Sequence, residues 1–255
     1  MRIGQLEVLP LLDAEVTFTT LGEAFSGLPD EYVPQEDWWL PIQALLIRGP
    51  DAVVLVDTGL GPAPRAFAPE AESQLLPELE RHGVVPEAIG LVVHTHLHVD
   101  HVGWDGAFPS ARYLVHQDDW EFFMTPESLE LRPHLREKVA PLQEAGRIDL
   151  IAGEAEVASG IRVISMPGHT PGHIGVRIDS AGESAVFIGD ALVHAAQIVD
   201  PGIAYASDAD PAVAIRTRQR VLARMADEKI PVMASHLPGA GRLARLTEGF
   251  TWEPL

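Results

Sequence analysis

The chain has no cysteine. That excludes disulfides and thiolate-held metals and leaves the compartment open, with the cytoplasm as the default expectation. Basic residues are also scarce, 18 Lys and Arg against 37 Asp and Glu, for a formal net charge of −19. Nucleic-acid affinity rests largely on cations that neutralise phosphates, so this field argues against nucleic acid and anionic lipid as partners. A well-solvated surface is the simplest use of the charge. Long apolar runs are missing too: none approaches the roughly 18 residues that would span a bilayer. In MRIGQLEVLPLLDAEVTFTT, charges break the apolar positions and no small-residue cleavage site follows, so the start does not read as a signal peptide. What is present, 46% hydrophobic and 22% charged over 255 residues, is the composition of a globular protein with a real core. One domain over residues 1–255 is expected.

No internal repeat, low-complexity tract or linker divides the chain. Residues 1–20 alternate like strands, and residues 22–41, rich in Gly, Pro and aromatics, read as a long loop. Residues 42–61 read as a hairpin turning at Gly49-Pro50-Asp51. Leu75, Leu76 and Leu79 give helical spacing over 70–82, ended near Gly83. AIGLVVHT reads as a buried strand and residues 117–124 as a helix. Three strands follow, the last pair turning at Ser180-Ala181-Gly182-Glu183. Asp210 caps a helix over 211–228 with Pro211 in its first position, and IPVMASH is the last predicted strand. Antiparallel runs with helices between them in two batches suggest two packed sheets with helices outside.

Histidine is the rarity that clusters. Of eleven in the chain, four fall in HTHLHVDH, residues 94–101. On a helix His96 and His98 would face nearly opposite ways; on an extended segment they share a side and can grip one ion. Asp100 and His101 come where the strand should end, so a turn can swing them to a second position. Parity alone leaves His94 a candidate. Imidazole and carboxylate suit zinc and similar ions, which take three or four protein groups each. The cluster supplies too few, so other strand ends should contribute: His169 in MPGHTPGH, Asp190 in FIGDAL and His236 in MASHLPG. Singly, each would more often be a turn or core residue.

In this company His96-Leu97-His98-Val99-Asp100-His101 resembles the signature of the metallo-β-lactamase superfamily. Asp57-Thr58-Gly59, Gly168-His169-Thr170-Pro171-Gly172-His173, Gly189-Asp190 and Ser235-His236 are similar to its other motifs, in the same order, and the likeness spans about residues 42–240. The resemblance implies an α/β fold of the αββα sandwich type, two mixed sheets flanked by helices, with two metals at the sheet edges. It implies that His96, His98 and His169 hold one metal, that Asp100, His101 and His236 hold the other, and that Asp190 bridges them. His94 then falls at an ordinary strand position. Two divalent ions, zinc by default with manganese, iron or cobalt as alternatives, would share a hydroxide nucleophile. Asp100 would shuttle a proton to the leaving group, and Asp57 would orient a ligand. His173 reads as structural, and His82, His116 and His134 as surface or ordinary core residues. His194 and Gln197 read equally as pocket lining or packing.

Departures from the family's patterns narrow the expected reaction. The β-lactamases lack an aspartate at the position of Asp190, and flavin-linked di-iron members carry glutamate at that of His98. The tRNA-processing nucleases would want a basic surface. The second half resembles the branch of N-acyl homoserine lactonases and methyl parathion hydrolase, but where those lactonases carry tyrosine three residues after the bridging aspartate, this chain has Val193. The expectation is a dinuclear hydrolase of a lactone, ester or phosphotriester; a glyoxalase II-type thioesterase or a noncatalytic metal-binding protein is the alternative. The expected partner is a small apolar substrate. The aromatics Phe25, Tyr32, Trp38 and Trp39 would wall its pocket, form a homodimer contact or simply pack on the sheet. Arg216, Arg218, Arg220 and Arg224 read as a solvated helix face.

Overall fold

A computed structural model of the chain describes residues 1–29, 32–62 and 68–255. Two seven-stranded sheets form the body. The first orders Arg2–Ile3, Leu6–Thr20, Asp37–Arg48, Val53–Val56, Leu91–Val93, Arg112–His116 and Ile148–Ile151. The second orders Phe250–Pro254, Leu237–Arg245, Val232–Ala234, Glu183–Phe187, Ile174–Ser180, Ile161–Ser165 and Ala155–Ala158. A small ribbon pairs Ala204–Tyr205 with Phe25–Ser26.

Alternation explains why the sheets face one another. Leu45, Ile47, Val54 and Val56 of the first sheet share a core with Val163, Val176, Ile178 and Phe187 of the second. Their neighbours Ala44, Leu46 and Leu55 point the other way, under Leu75 and Leu79 of the helix Leu75–Arg81. On the far side, Val186 and Val232 meet Val221, Leu222 and Met225 of the helix Pro211–Glu228. Both faces of the central strands are therefore apolar, as a layer covered on both sides requires. This is the expected αββα arrangement.

Strand direction decides where the polar ends gather. Val53–Val56, Leu91–Val93 and Arg112–His116 run parallel. In the second sheet Ile161–Ser165 and Glu183–Phe187 are both antiparallel to Ile174–Ser180, and Glu183–Phe187 is parallel to Val232–Ala234. The carboxyl ends of these strands, from which Asp57, the histidine cluster, His169, Asp190 and His236 follow, open onto one edge of the sandwich.

Several elements differ from expectation. The loop predicted over 22–41 takes in most of the short helix Leu21–Ala24, the strand Phe25–Ser26 and the start of Asp37–Arg48; residues 30 and 31 lie outside the described residues. Pro41 sits inside that strand opposite Glu15, beside a register shift between Leu12 and Ala14, where the missing N–H is tolerated. The predicted helix over 70–82 begins only at Leu75, and its buried start is held by Asp13, which accepts from the backbone N–H of Leu75 at 2.8 Å. Val232–Ala234 is not the last strand: Leu237–Arg245 and Phe250–Pro254 follow as an antiparallel pair. The Asp210 cap is present, its side chain accepting from Val213 N–H at 3.0 Å. The 180–183 turn is present too, with Ala181 and Gly182 at φ 51° and 83°.

Candidate metal centre

The turn after Val53–Val56 sets one wall of the site. Asp57 has a left-handed backbone, φ 60°, held by bonds from every side of its carboxylate. It accepts from Thr95 N–H and Thr95 Oγ1 at 2.7 Å each and from His101 Nδ1 at 2.8 Å. Burial opposes its charge, but His101 and His94 outweigh that and hold it down at about 2. Gly59, at φ 64°, lies against buried Asp13; a Cβ there would come within 2.3 Å of Asp13 Oδ2. The turn can therefore seat on Asp13 only with glycine at 59.

The structure brings all seven expected metal residues together. Ligand atoms of His96, His98 and His169 lie within 4.8 Å of one another, as do those of His96, His101 and Asp190, and those of Asp100, His101 and His236. His98 Nδ1 is 2.9 Å from His96 Nε2 and 3.0 Å from His169 Nε2. Asp190 Oδ2 is 3.0 Å from His236 Nε2, 3.4 Å from His169 Nε2 and 3.9 Å from His96 Nε2, while its Oδ1 is 3.5 Å from His101 Nε2. Asp100 Oδ2 is 3.6 Å from His236 Nε2 and 3.8 Å from His101 Nε2.

The outer hydrogen bonds determine which nitrogens carry lone pairs. His101 Nδ1 donates to Asp57, His169 Nδ1 to Asp208 at 3.1 Å and His236 Nδ1 to the Pro41 carbonyl at 2.8 Å. Thr95 gives its proton to Asp57, so its oxygen accepts from His96 Nδ1 at 3.1 Å. Four Nε2 lone pairs therefore converge inward, with Nδ1 of His98 among them. Burial and neighbouring imidazoles keep His96 and His98 far below the ordinary histidine value, hence neutral. Crowded lone pairs of this kind are satisfied by a cation. Burial works against charge on His101 and His236, yet Asp190 and its fellow carboxylates raise both. The same carboxylates would draw a divalent ion to those nitrogens. Asp190 Oδ1 and His101 Nε2, both buried, have no hydrogen-bond partner among the described residues. The donor set fits two ions.

His94 belongs to none of these groups. Its Nε2 pairs with buried Asp105 at 3.1 Å, its ring stacks on Tyr113, and Asp105 with Asp57 overcomes burial to raise it to about 9. His173 accepts from Asp190 N–H at 3.0 Å, a backbone support. His116 caps the helix Gln117–Phe123. Gln197 is fully buried, its amide oxygen accepting from Val193 N–H at 3.0 Å. Val193, 1% exposed, lies in an apolar cluster with Phe25, Trp38 and Tyr205. His194 is edged by Phe25, Tyr32 and Trp38 at ring distances of 5.1, 5.5 and 6.3 Å.

Sequence reasoning missed Asp13, Asp105, Asp119 and Asp208, all buried. It also misread Arg218, which is 1% exposed rather than solvated; three backbone carbonyls and Asp208 surround it. A buried carboxylate far from its partner in sequence leaves no local pattern. The acid-rich SDADP around Asp208 was the one available signal.

A family model for the metallo-beta-lactamase superfamily matches residues 37–234. The chain belongs to that superfamily. Within it, the N-acyl homoserine lactonase AiiA of Bacillus thuringiensis subsp. kurstaki is 25% identical over 217 residues, covering 77% of this chain and 81% of that protein. The solved structure of hydrolase AbOPH superposes with a TM-score of 0.89 at 26% identity, over 100% of this chain and 96% of that one. AidC, a dizinc quorum-quenching lactonase solved with a product bound, shares the fold at a TM-score of 0.84 and 24% identity, over 100% and 96% of the two chains. Hydrolysis is the chemistry these relatives share, and this superfamily member is an enzyme of that class. No helix among the described residues is long and apolar enough to cross a membrane.

Proposed function

We propose that the chain is a dinuclear hydrolase of small apolar lactones, with N-acyl homoserine lactones as the substrate class. His96, His98 and His169 hold one ion, Asp100, His101 and His236 the other, and Asp190 serves both. One observation carries this reading: the single Asp190 carboxylate lies 3.0–3.9 Å from nitrogens of both groups. Two divalent ions, zinc by default with manganese, iron or cobalt able to substitute, supply Lewis-acid polarisation of the scissile group and activation of water near neutral pH.

The chain's own residues do the rest. Asp57, Thr95, Asp208 and the Pro41 carbonyl fix the imidazole tautomers. Asp100, 12% exposed on its side chain, is the carboxylate with access to solvent and substrate. One of its oxygens faces His101 and His236, and the other is free to carry a proton to the leaving alkoxide. Phe25, Tyr32, Trp38 and Tyr205 form an apolar wall that reaches the centre through the Tyr205 ring, stacked on His169 at 5.8 Å and 12°. An acyl chain would lie along it, away from water.

A second reading, phosphotriester hydrolysis, is favoured by Val193, which offers the substrate carbonyl no hydrogen bond. The test is a panel of lactone, aryl ester, phosphotriester and thioester substrates on metal-reconstituted protein, with Asp190→Ala as the blank. Lactones, with rates rising as the acyl chain lengthens, should lead. Lactone turnover no higher than the blank would overturn the proposal, and leadership by phosphotriesters would favour the second reading.

A further inference from the structure

The helix Pro211–Glu228 buries one face against the second sheet, and on that face, beside Ala214, Val221 and Leu222, stands Arg218. Taking a guanidinium out of water is costly unless its donors are all used, so packing alone would favour leucine or methionine there. Arg218 instead spends its donors on one stretch of chain. Its Nε donates to the Ala191 carbonyl at 2.9 Å, and its Nη1 to those of Pro201 at 3.0 Å and Ile203 at 2.6 Å. Its Nη2 faces Asp208 Oδ2 at 3.5 Å.

These partners are neighbours of the centre. Ala191 follows Asp190 directly, and Asp208 accepts from His169 Nδ1 at 3.1 Å. Between them, residues 192–208 contain only the one-turn helix Ala196–Val199 and the two-residue strand Ala204–Tyr205, so side-chain bonds join a few backbone turns in setting their path. Asp208 Oδ2 has no hydrogen-bond partner among the described residues; the guanidinium is the cation that faces it.

We propose that Arg218 is a positioning residue of the metal centre, holding the Asp190 turn and the Asp208–His169 pair in register through one planar group. This rests on the metal-centre reading above. The ion shared by His96, His98 and His169 is the one affected, because Asp208 keeps the Nδ1 proton on His169 and so aims its Nε2 lone pair inward. Lysine cannot replace the arginine: a single ammonium does not span four acceptors in a plane.

The test compares wild type, Arg218→Lys, Asp208→Asn and the double variant. Each is stripped of metal, checked by thermal melting, and titrated with zinc against a chromophoric chelator. The wild type should bind two ions. Each single variant should bind one ion as the wild type does and the other about 10–100-fold more weakly. The double variant should be little worse than the weaker single, because both act through one pair. Reconstituted Arg218→Lys should lose kcat with KM little changed. Wild-type affinities for both ions in Arg218→Lys would overturn the proposal, and so would an equal weakening of both ions that tracks a lower melting temperature. Should Arg218→Lys not fold, unchanged stepwise affinities in near-isosteric Asp208→Asn overturn it alone. A wild type that never binds two ions defeats the metal-centre reading itself, a different result from intact binding that ignores these substitutions.

Discussion

The two halves of the centre are built on opposite electrostatic plans. Around His98 three imidazoles meet within 3.0 Å, and burial with mutual repulsion holds His96 and His98 neutral. Around His101 carboxylates dominate: Asp57, Asp100 and Asp190 surround it and raise it against its burial. The first half is a neutral socket that grips through lone pairs. The second adds negative charge and, at Asp100, partial access to solvent. Binding and proton transfer can thus be divided between them, while Asp190 ties them together.

The largest expected effect comes from removing that tie. Asp190→Ala should lower metal content from two per chain to one or fewer, and should cut turnover by more than the roughly 10–100-fold that loss of an outer partner costs. Elemental analysis beside kinetics checks it; two retained ions would show the halves to be independent. Next, Asp100→Asn should keep both ions yet slow alkoxide-releasing substrates by about 10²–10⁴-fold. The loss should shrink for nitrophenolate leaving groups, and an equal loss for both would make Asp100 a ligand only.

Asp57→Asn should weaken the carboxylate-rich half, which it touches directly through His101, by about 10–100-fold, and the other half, which it reaches only through Thr95 and His96, by less, as stepwise titration would resolve. Asp57's folded value, about 2, lies below its unfolded 3.8. It therefore adds stability above about pH 4 that is lost as pH falls through 2, and the variant's acid unfolding should lack that contribution. The smallest effect on the centre belongs to His94→Gln, with metal content unchanged. His94 is raised from 6.5 to about 9, so its contribution is full below pH 6.5 and lost as pH rises through 9. The melting-temperature gap from wild type, at most about 3 kcal/mol in stability, should close between pH 6 and pH 10. A gap constant with pH would remove the charge from His94.

How much of this was legible in the sequence follows from range. Alternation over residues 42–56 carries both faces of the central strands, and the ends of apolar runs mark His169, Asp190 and His236, because strand period and strand termination are local properties. The strand through Pro41 and those after His236 were not legible. Residues 22–41 read as loop and no strand was expected after IPVMASH; only the pairing of Pro41 with Glu15, and of Gly241 with Pro254, turns these stretches into sheet. Arg218 was misread for the same reason: an arginine on a helix says solvent until its carbonyl acceptors, 15 to 27 residues away, are known. His94 stands two residues from His96 with the opposite charge preference, because Asp105, 11 residues on, and Asp57 face it.

The central claim is that the two halves hold two ions through one shared carboxylate. Stepwise metal titration of the stripped wild-type protein, read by elemental analysis and by cobalt absorption spectra, tests it most directly. The account predicts two ions per chain, a cobalt spectrum that changes as the second site fills, and two ions lost together in Asp190→Ala or reduced to one. A single ion per chain at saturation, or two ions in Asp190→Ala with wild-type spectra, would contradict it.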